Sequence, residues 1–265
     1  MNDEDIRGAV RARYGEIAKG KATRCCGGGS CETDTSTSAT EGVQLGYSLE
    51  ELKSLPEGAD LGLGCGNPQA IASLKPGETV IDLGSGGGID SFLAAQHVGP
   101  SGRVIGVDMT PDMVSKARGN AQKAGFPQVE FRLGEIEHLP VADNTADVII
   151  SNCVVNLSPD KPQVLRDAFR ALKPGGRVAI SDIVATAELP PEVKKEAAVY
   201  TGCMAGASLI QDLEAMLQAA GFADIRIDPK DASRAFIKDW APGRKFEDYV
   251  VSANITARKP SSSAS

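Results

Sequence analysis

The chain has 265 residues and a formal net charge of -7, with 42% hydrophobic and 24% charged residues, which suits one α/β domain with a sizeable core and a smaller appendage. The acidic balance argues against nucleic acid as a partner, since a phosphate backbone is held by clustered Lys and Arg, and no apolar run reaches the length of a membrane span. The opening Met1-Asn2-Asp3-Glu4-Asp5 is acidic with no apolar segment behind it, so no secretory signal is expected but a cytoplasmic setting, in which the six cysteines call for chemistry or burial and not for structural disulfides.

Ile6 to Ala18 carries Val10, Tyr14 and Ile17 at helical spacing and predicts a short amphipathic helix. Thr23 to Thr40 is rich in Gly, Ser and Thr with almost nothing to bury, and predicts a loop or disordered segment. It holds Cys25, Cys26 and Cys31, for which two readings stand: a redox or metal-binding flap, or exposed thiols on a mobile loop. Ser48 and Glu51 form a capping box at the start of a short helix. The glycine cluster Leu61-Gly62-Leu63-Gly64-Cys65-Gly66-Asn67-Pro68 has no strand before it and ends in a turn signal. Its expected role is to present Cys65 on tightly turned backbone, not to bind a nucleotide.

Val80, Ile81 and Leu83 predict a buried strand that breaks into Gly84-Ser85-Gly86-Gly87-Gly88 and resumes as a helix, a turn that lets the backbone approach a ligand closely. A dinucleotide fingerprint needs G-x-G-x-x-G, but counting from Gly84 the third glycine would fall on Ile89, and from Gly86 on Ser91. The spacing is G-x-G-x-G, and Asp82 precedes it, a poor neighbour for a pyrophosphate and a good one for a cationic amino-acid head. This favours S-adenosylmethionine over NAD; the competing reading is a tight turn without a ligand. Arg103 to Asp108 predicts a second strand whose terminal carboxylate lies about twenty residues past the glycines, where such sites hold the ribose hydroxyls, with Met109 beside it. Thr110 fits the cap of the next helix, which leaves Asp108 for the ribose.

Val129 to Leu133 predicts a third strand ending in Gly134-Glu135-Ile136-Glu137, where Ile136 would pack on the adenine and Glu135 accept from its amino group; a plain surface turn is the alternative. Ala146 to Ser151 predicts a fourth strand that delivers Asn152 and Cys153 to the carboxyl edge of the sheet, where ligands bind in open α/β folds. Asp160 to Leu172 predicts a helix stopped by Lys173-Pro174-Gly175-Gly176, and Val178 to Ile183 a fifth strand. Strand and helix alternate, so the expected fold is α/β with a doubly wound, mostly parallel sheet. Beyond it, Val193 to Tyr200 and Asp212 to Ala220 read as helices and Ile225 to Ile227 and Tyr249 to Ala257 as strands. The division expected is an N-terminal segment with the cysteine-rich loop (1–75), a cofactor domain (76–185), a C-terminal substrate segment (186–258) and a disordered tail (259–265). Cys65, Cys153 and Cys203 stand singly, which disfavours a zinc ribbon, and each alone has the plain reading of a small buried hydrophobe. His97 and His138 read as surface residues.

Taken together, the run from Ile81 to Gly88 with Asp108, Ser151-Asn152-Cys153-Val154-Val155-Asn156-Leu157 and Leu172-Lys173-Pro174-Gly175-Gly176 resembles the arsenite S-adenosylmethionine methyltransferases. Arg13-Tyr14-Gly15, Gly64-Cys65-Gly66-Asn67-Pro68 and Gly202-Cys203 before Ala205-Gly206-Ala207 extend the resemblance to about Arg258. It implies a class I, Rossmann-like methyltransferase fold, and a cofactor site of Asp82, Gly84, Ser85, Gly86, Gly88, Asp108, Met109, Glu135, Ile136 and Asn152. It further implies that Cys65, Cys153 and Cys203 bind trivalent arsenic as substrate, and that one of Cys25, Cys26 or Cys31 serves redox cycling with a thiol reductant, glutathione or thioredoxin. Arsenite and methylated trivalent arsenicals are the implied substrates, with detoxification as the role. Two other readings are a methyltransferase of a small organic molecule with the cysteines as core filling, and a non-catalytic thiol-based arsenical binder.

Overall fold

The computed structural model describes residues 2–21, 42–190, 204–240 and 245–261. The expectations for Thr23 to Thr40, for a helix from Val193 to Tyr200 and for Cys25, Cys26, Cys31 and Cys203 lie outside the described residues. In chain order the elements are α1 (Asp3–Ala18), α2 (Leu49–Lys53), α3 (Gln69–Ala72), β1 (Thr79–Leu83), α4 (Ile89–Val98), β2 (Arg103–Asp108), α5 (Pro111–Ala124) and β3 (Val129–Leu133). They continue with β4 (Ala146–Asn152), α6 (Lys161–Ala171), β5 (Leu172–Ala185), β6 (Ser208–Leu209), α7 (Ile210–Ala219), β7 (Ala223–Lys230), α8 (Arg234–Trp240) and β8 (Val250–Arg258).

The strands form one sheet in the order β3-β2-β1-β4-β5-β8-β7, with the short β6 pairing to β5. β1 to β5 run parallel, and β8 is antiparallel to both β5 and β7. Side chains alternate across a strand, and here both faces are apolar. Val80, Val104, Val148 and Ile150 pack on one face with Ala94, Ala95 and Val98 of α4. Ile81, Leu83, Ile105, Val107, Ile149 and Val178 pack on the other with Val164, Leu165 and Ala168 of α6 and Leu213 and Leu217 of α7. Helices thus cover both faces of a doubly wound sheet of Rossmann-like type, and its order reverses between β1 and β4. The carboxyl ends of those two strands are the switch point at which such folds bind ligands.

Two local expectations change. Lys173-Pro174-Gly175-Gly176 lies inside the range of β5, yet the β4 register jumps from Ala146↔Leu172 to Val148↔Arg177, so the stop signal acts as a bulge between helix and ladder. β8 pairs with β5 from Arg177↔Arg258 to Ala185↔Val250, so the sheet runs on without a break across the 185/186 boundary expected between cofactor domain and C-terminal segment. Lys259, expected in a disordered tail, is anchored, its Nζ donating to Asn144 Oδ1 (3.0 Å), Phe169 O (2.9 Å) and Leu172 O (2.7 Å). The capping box at Ser48 is present, with Ser48 Oγ accepting from Glu51 N at 3.1 Å and Glu51 Oε2 from Ser48 N at 2.7 Å. Among the described residues no helix is long and apolar enough to cross a membrane.

Candidate active site

A cavity of about 760 Å³ opens at the carboxyl ends of β1 and β4, a size within the ordinary range for small-molecule sites. Of the residues singled out from the sequence, Asp82, Gly84, Ser85, Gly86, Asp108, Met109, Ile136, Asn152 and Cys153 line it. Gly88, Glu135 and Cys65 are not among its lining residues.

The glycine turn divides its labour. Gly86 has φ +51 and a Cβ built there meets nothing within 4 Å, so its missing side chain leaves open cavity against bare backbone. Gly88 has φ +101, and a Cβ there would stand 2.6 Å from Phe92 Cε2 and 3.0 Å from Phe131 Cζ. Its glycine is demanded by packing under the turn. Asp108 braces the turn from β2: its Oδ2 accepts from Gly86 N at 3.0 Å and its Oδ1 from Thr110 N at 2.8 Å. Thr110 holds the N-cap position of α5 but, against the expectation from the sequence, makes no side-chain cap bond; what Asp108 accepts is Thr110's own backbone N–H.

Two buried carboxyls, Asp82 and Asp90, and the half-buried Asp108 face this space. Asp82 accepts from Ser91 Oγ at 2.7 Å, and Asp90 accepts from Tyr47 Oη at 2.8 Å and Asn152 Nδ2 at 3.1 Å. Burial pushes Asp90 up to about 6. Burial and then the nearby Asp90 charge hold Asp82 well above the usual carboxylate range. Burial raises Asp108 too, against the Thr110 and Gly86 N–H groups that favour its charged form. Among the described residues lining the cavity, no cation is hydrogen-bonded to Asp82 or Asp90, so the wall is suited to a ligand that brings positive charge.

Beyond β4 the backbone turns at Cys153, a non-glycine residue at φ 61, whose N–H donates to Ser181 O at 2.8 Å. Such a left-handed conformation in an ordinary side chain is held in place by its surroundings and is typical of functional positions. Cys65 is 1% exposed; its Sγ lies 3.5 Å from Ser181 O. Cys65 Sγ, Cys153 Sγ and a carboxylate oxygen of Asp182 all lie within 4.8 Å of one another, and all three residues are buried. Asp182 accepts from Ile183 N at 2.8 Å and Asn156 Nδ2 at 2.9 Å, and burial pushes it up to about 6. Met204 and Ala205, which follow Cys203 in the chain, belong to the same buried cluster as Cys65 and Cys153.

Two elements that the sequence reading gave no role roof the cavity. Val10, Tyr14 and Ile17 of α1 line it, and so do Phe236 and Trp240 of α8, whose rings lie 5.4 Å apart. Glu135 is turned away to α1, where Arg11 Nη2 lies at 3.2 Å and Arg7 Nε at 3.7 Å, while its neighbours Ile136 and Glu137 do line the cavity. His97 and His138 are exposed and do not line it. Asp90, Tyr47 and Asp182 went unassigned from the sequence. Their signal was a polar residue within an otherwise buried run: Asp90 heads Phe92-Leu93-Ala94-Ala95, and Asp182 interrupts Val178-Ala179-Ile180 and Ile183-Val184.

Residues 74–221 match the family described as a methyltransferase domain. The chain is 55% identical to an arsenite methyltransferase of Halobacterium salinarum, over 97% of this chain and 67% of that protein. It is 34% identical to an arsenite methyltransferase of Homo sapiens, over 86% of this chain and 60% of that protein. It therefore spans about two thirds or less of the length of these curated relatives. Among solved structures, an arsenic (III) S-adenosylmethionine methyltransferase from Chlamydomonas reinhardtii superposes with a TM-score of 0.62 at 32% identity, covering 85% of this chain and 74% of that one. The [4+2]-cyclase SpnF superposes with a TM-score of 0.60 at 20% identity over 73% of this chain and 80% of that one, a likeness of fold alone.

Proposed function

The chain belongs to the arsenite methyltransferase family, and on that premise we propose that it transfers the methyl group of S-adenosylmethionine to trivalent arsenic held by cysteine thiolates. The observation that carries this reading is the pair of buried sulfurs, Cys65 and Cys153, within 4.8 Å of each other, with Cys153 also on the wall of the cavity. Thiolates select soft centres such as trivalent arsenic, and Cys203 is the third sulfur that the family pattern supplies. Arsenite and methylated trivalent arsenicals are the substrates, and detoxification the role.

The cavity's chemistry fits the cofactor. Asp82 and Asp90 offer buried negative charge to an ammonium and a sulfonium, Gly86 admits close approach, Asp108 has acceptor capacity for ribose hydroxyls, and Ile136 and Met109 present apolar surface to the adenine. S-adenosylmethionine, when bound, would supply an electrophilic methyl open to in-line attack by the arsenic lone pair, with the C–S bond breaking and S-adenosylhomocysteine as the leaving group. The chain's own part is positioning, worth up to about 7–11 kcal/mol in well-oriented reactions. The thiolates hold arsenic with its lone pair directed away from three sulfurs. Tyr14, Phe236 and Trp240 add aromatic wall to the cavity, which reduces the water around a sulfonium that loses its charge. No general base is required for the methyl transfer, in keeping with two exposed histidines.

Donation of the lone pair leaves arsenic oxidised by two electrons. Repeated turnover therefore needs a thiol reductant, glutathione or thioredoxin, with one of Cys25, Cys26 or Cys31 as an internal relay and a reducing, cytoplasmic setting. In this division of labour 76–185 binds the cofactor and 186–258 completes the arsenic side. The test is formation of methylated arsenic from arsenite, S-adenosylmethionine and a thiol reductant. A protein that binds S-adenosylhomocysteine but methylates neither arsenite nor monomethylated trivalent arsenic would overturn the reading.

A further inference from the structure

Asn152 does more than line the cavity. Its Oδ1 accepts the Cys65 N–H at 3.0 Å, and its Nδ2 lies 2.8 Å from Gly66 O, 2.9 Å from Tyr47 Oη and 3.1 Å from Asp90 Oδ2. The segment it grips has neither helix nor strand between Gly64 and Asn67, so no ladder fixes the Cys65 thiol. From behind, Ser252 Oγ donates to Cys65 O at 2.7 Å. A Cβ at Gly64 would stand 2.9 Å from Asn152 Nδ2 and 3.0 Å from its Oδ1, so the backbone is drawn against the amide. The next residue in the chain is Cys153. One dipeptide at the end of β4 thus carries one sulfur and fixes the backbone of the other.

We propose that Asn152 is the positioning residue that holds the Cys65 thiol opposite Cys153, acting through its amide on the Cys65–Gly66 backbone and not as a cofactor ligand. Only a carboxamide suits the place. It accepts from one backbone N–H and donates to the next carbonyl, whereas Asp has no donor for Gly66 O and would set a second carboxylate beside Asp90. The two Nδ2 hydrogens are shared among Gly66 O, Tyr47 Oη and Asp90 Oδ2, so the same amide ties the thiol segment to the cavity wall.

The consequence for arsenic rests on the function proposed above; the consequence for Cys65 itself does not. In the full chain, Asn152→Ala and Gly64→Ala are compared with the wild type by peptide-mapped alkylation with iodoacetamide, by titration with S-adenosylhomocysteine, and by methylation of arsenite and of monomethylated trivalent arsenic. Loss of the latch is expected to speed alkylation of Cys65 about tenfold in both variants. Alkylation of Cys153 should stay unchanged, and KM for arsenite should rise by a larger factor than the Kd for S-adenosylhomocysteine, since the amide acts on the thiol segment while its bond to Asp90 is not the only one that carboxyl accepts. Unchanged alkylation of Cys65, equal acceleration at Cys153, or a Kd for S-adenosylhomocysteine that rises as far as the KM for arsenite would each overturn the proposal. Hydrogen exchange on the wild-type chain needs no variant: the Cys65 amide should be protected despite lying outside regular structure, and exchange at the rate of an open loop would sink the idea. If the wild type methylates no arsenical, the alkylation and exchange results still decide whether Asn152 holds Cys65.

Discussion

Replacing Asp108 with Ala tests the ribose side of the cavity. Its two carboxylate oxygens already accept one backbone N–H each, from Gly86 at 3.0 Å and Thr110 at 2.8 Å. Each oxygen has a second acceptor position, and these remain for a pair of ribose hydroxyls. A hydrogen bond to a charged acceptor contributes about 1.5–3 kcal/mol, so Asp108→Ala is expected to weaken S-adenosylmethionine about 10- to 150-fold. The fold should lose much less: water can reach the two released N–H groups through the cavity, and burial already raises the Asp108 carboxyl, so its removal relieves a desolvation cost. Asn should be no milder than Ala, because its amide nitrogen must face the Gly86 or the Thr110 N–H, donor against donor. Trp240 is the single tryptophan and lines the cavity, so quenching of its emission by S-adenosylhomocysteine reports binding, with calorimetry as a check. Arsenite binding should survive the substitution. Unchanged cofactor affinity in Asp108→Ala would refute the ribose assignment and leave Asp108 as a brace for the glycine turn.

Three further outcomes are expected. Cys65→Ser should lose methylation of arsenite but keep that of monomethylated trivalent arsenic, which has only two positions left for thiolates, whereas Cys153→Ser should lose both; parallel assays on the two substrates decide, and equal loss in Cys65→Ser would mean that Cys65 does more than supply a third sulfur. The two glycines should separate: both substitutions cost about 1–2 kcal/mol for positive-φ backbone, Gly88→Ala adds about 1–3 kcal/mol for overpacking Phe92 and Phe131 in a denaturant titration, and Gly86→Ala adds none but blocks the cofactor. If Gly86→Ala bound S-adenosylhomocysteine normally, the close-approach argument would fail. For pH, Asp90 is raised from 3.8 to about 6 by burial, beside Asp82, Tyr47 and Glu51, so its contribution to stability is full below 3.8 and is lost as pH rises through about 6. The free protein should accordingly gain stability from this group on going from pH 7 to pH 5. Affinity for the cationic cofactor runs oppositely, falling by up to about tenfold per pH unit below the Asp90 value, and calorimetry in buffers of different ionisation enthalpy should register proton release on binding near pH 6. Absence of any proton exchange would show that Asp90 does not change charge with the ligand.

The sequence by itself determined the sheet and its ligand edge. Val80, Ile81 and Leu83 are apolar on both faces of a short strand, which only a sheet covered on both sides can bury, and the glycines after Leu83 together with Asp108 at the end of β2 mark the ligand end through spacing alone. Cys153 was assigned to the cavity by the same local logic, because it directly follows β4. Only the tertiary structure decided the rest. Cys65 meets Cys153 through the Asn152 amide and Ser252 of β8, contacts between segments far apart in the chain that no local periodicity encodes. Glu135 was expected to face the adenine, yet the Arg7 and Arg11 side chains of α1 draw it outward, because a carboxylate with two guanidiniums in reach turns to them. Asp90 and Asp182 read as ordinary polar residues in a sequence. What gives them raised protonation values is the apolar surroundings that assemble around them on folding, and that burial, a property of the packed whole and not of any stretch, is the physical reason the chemistry was legible in outline and the site was not.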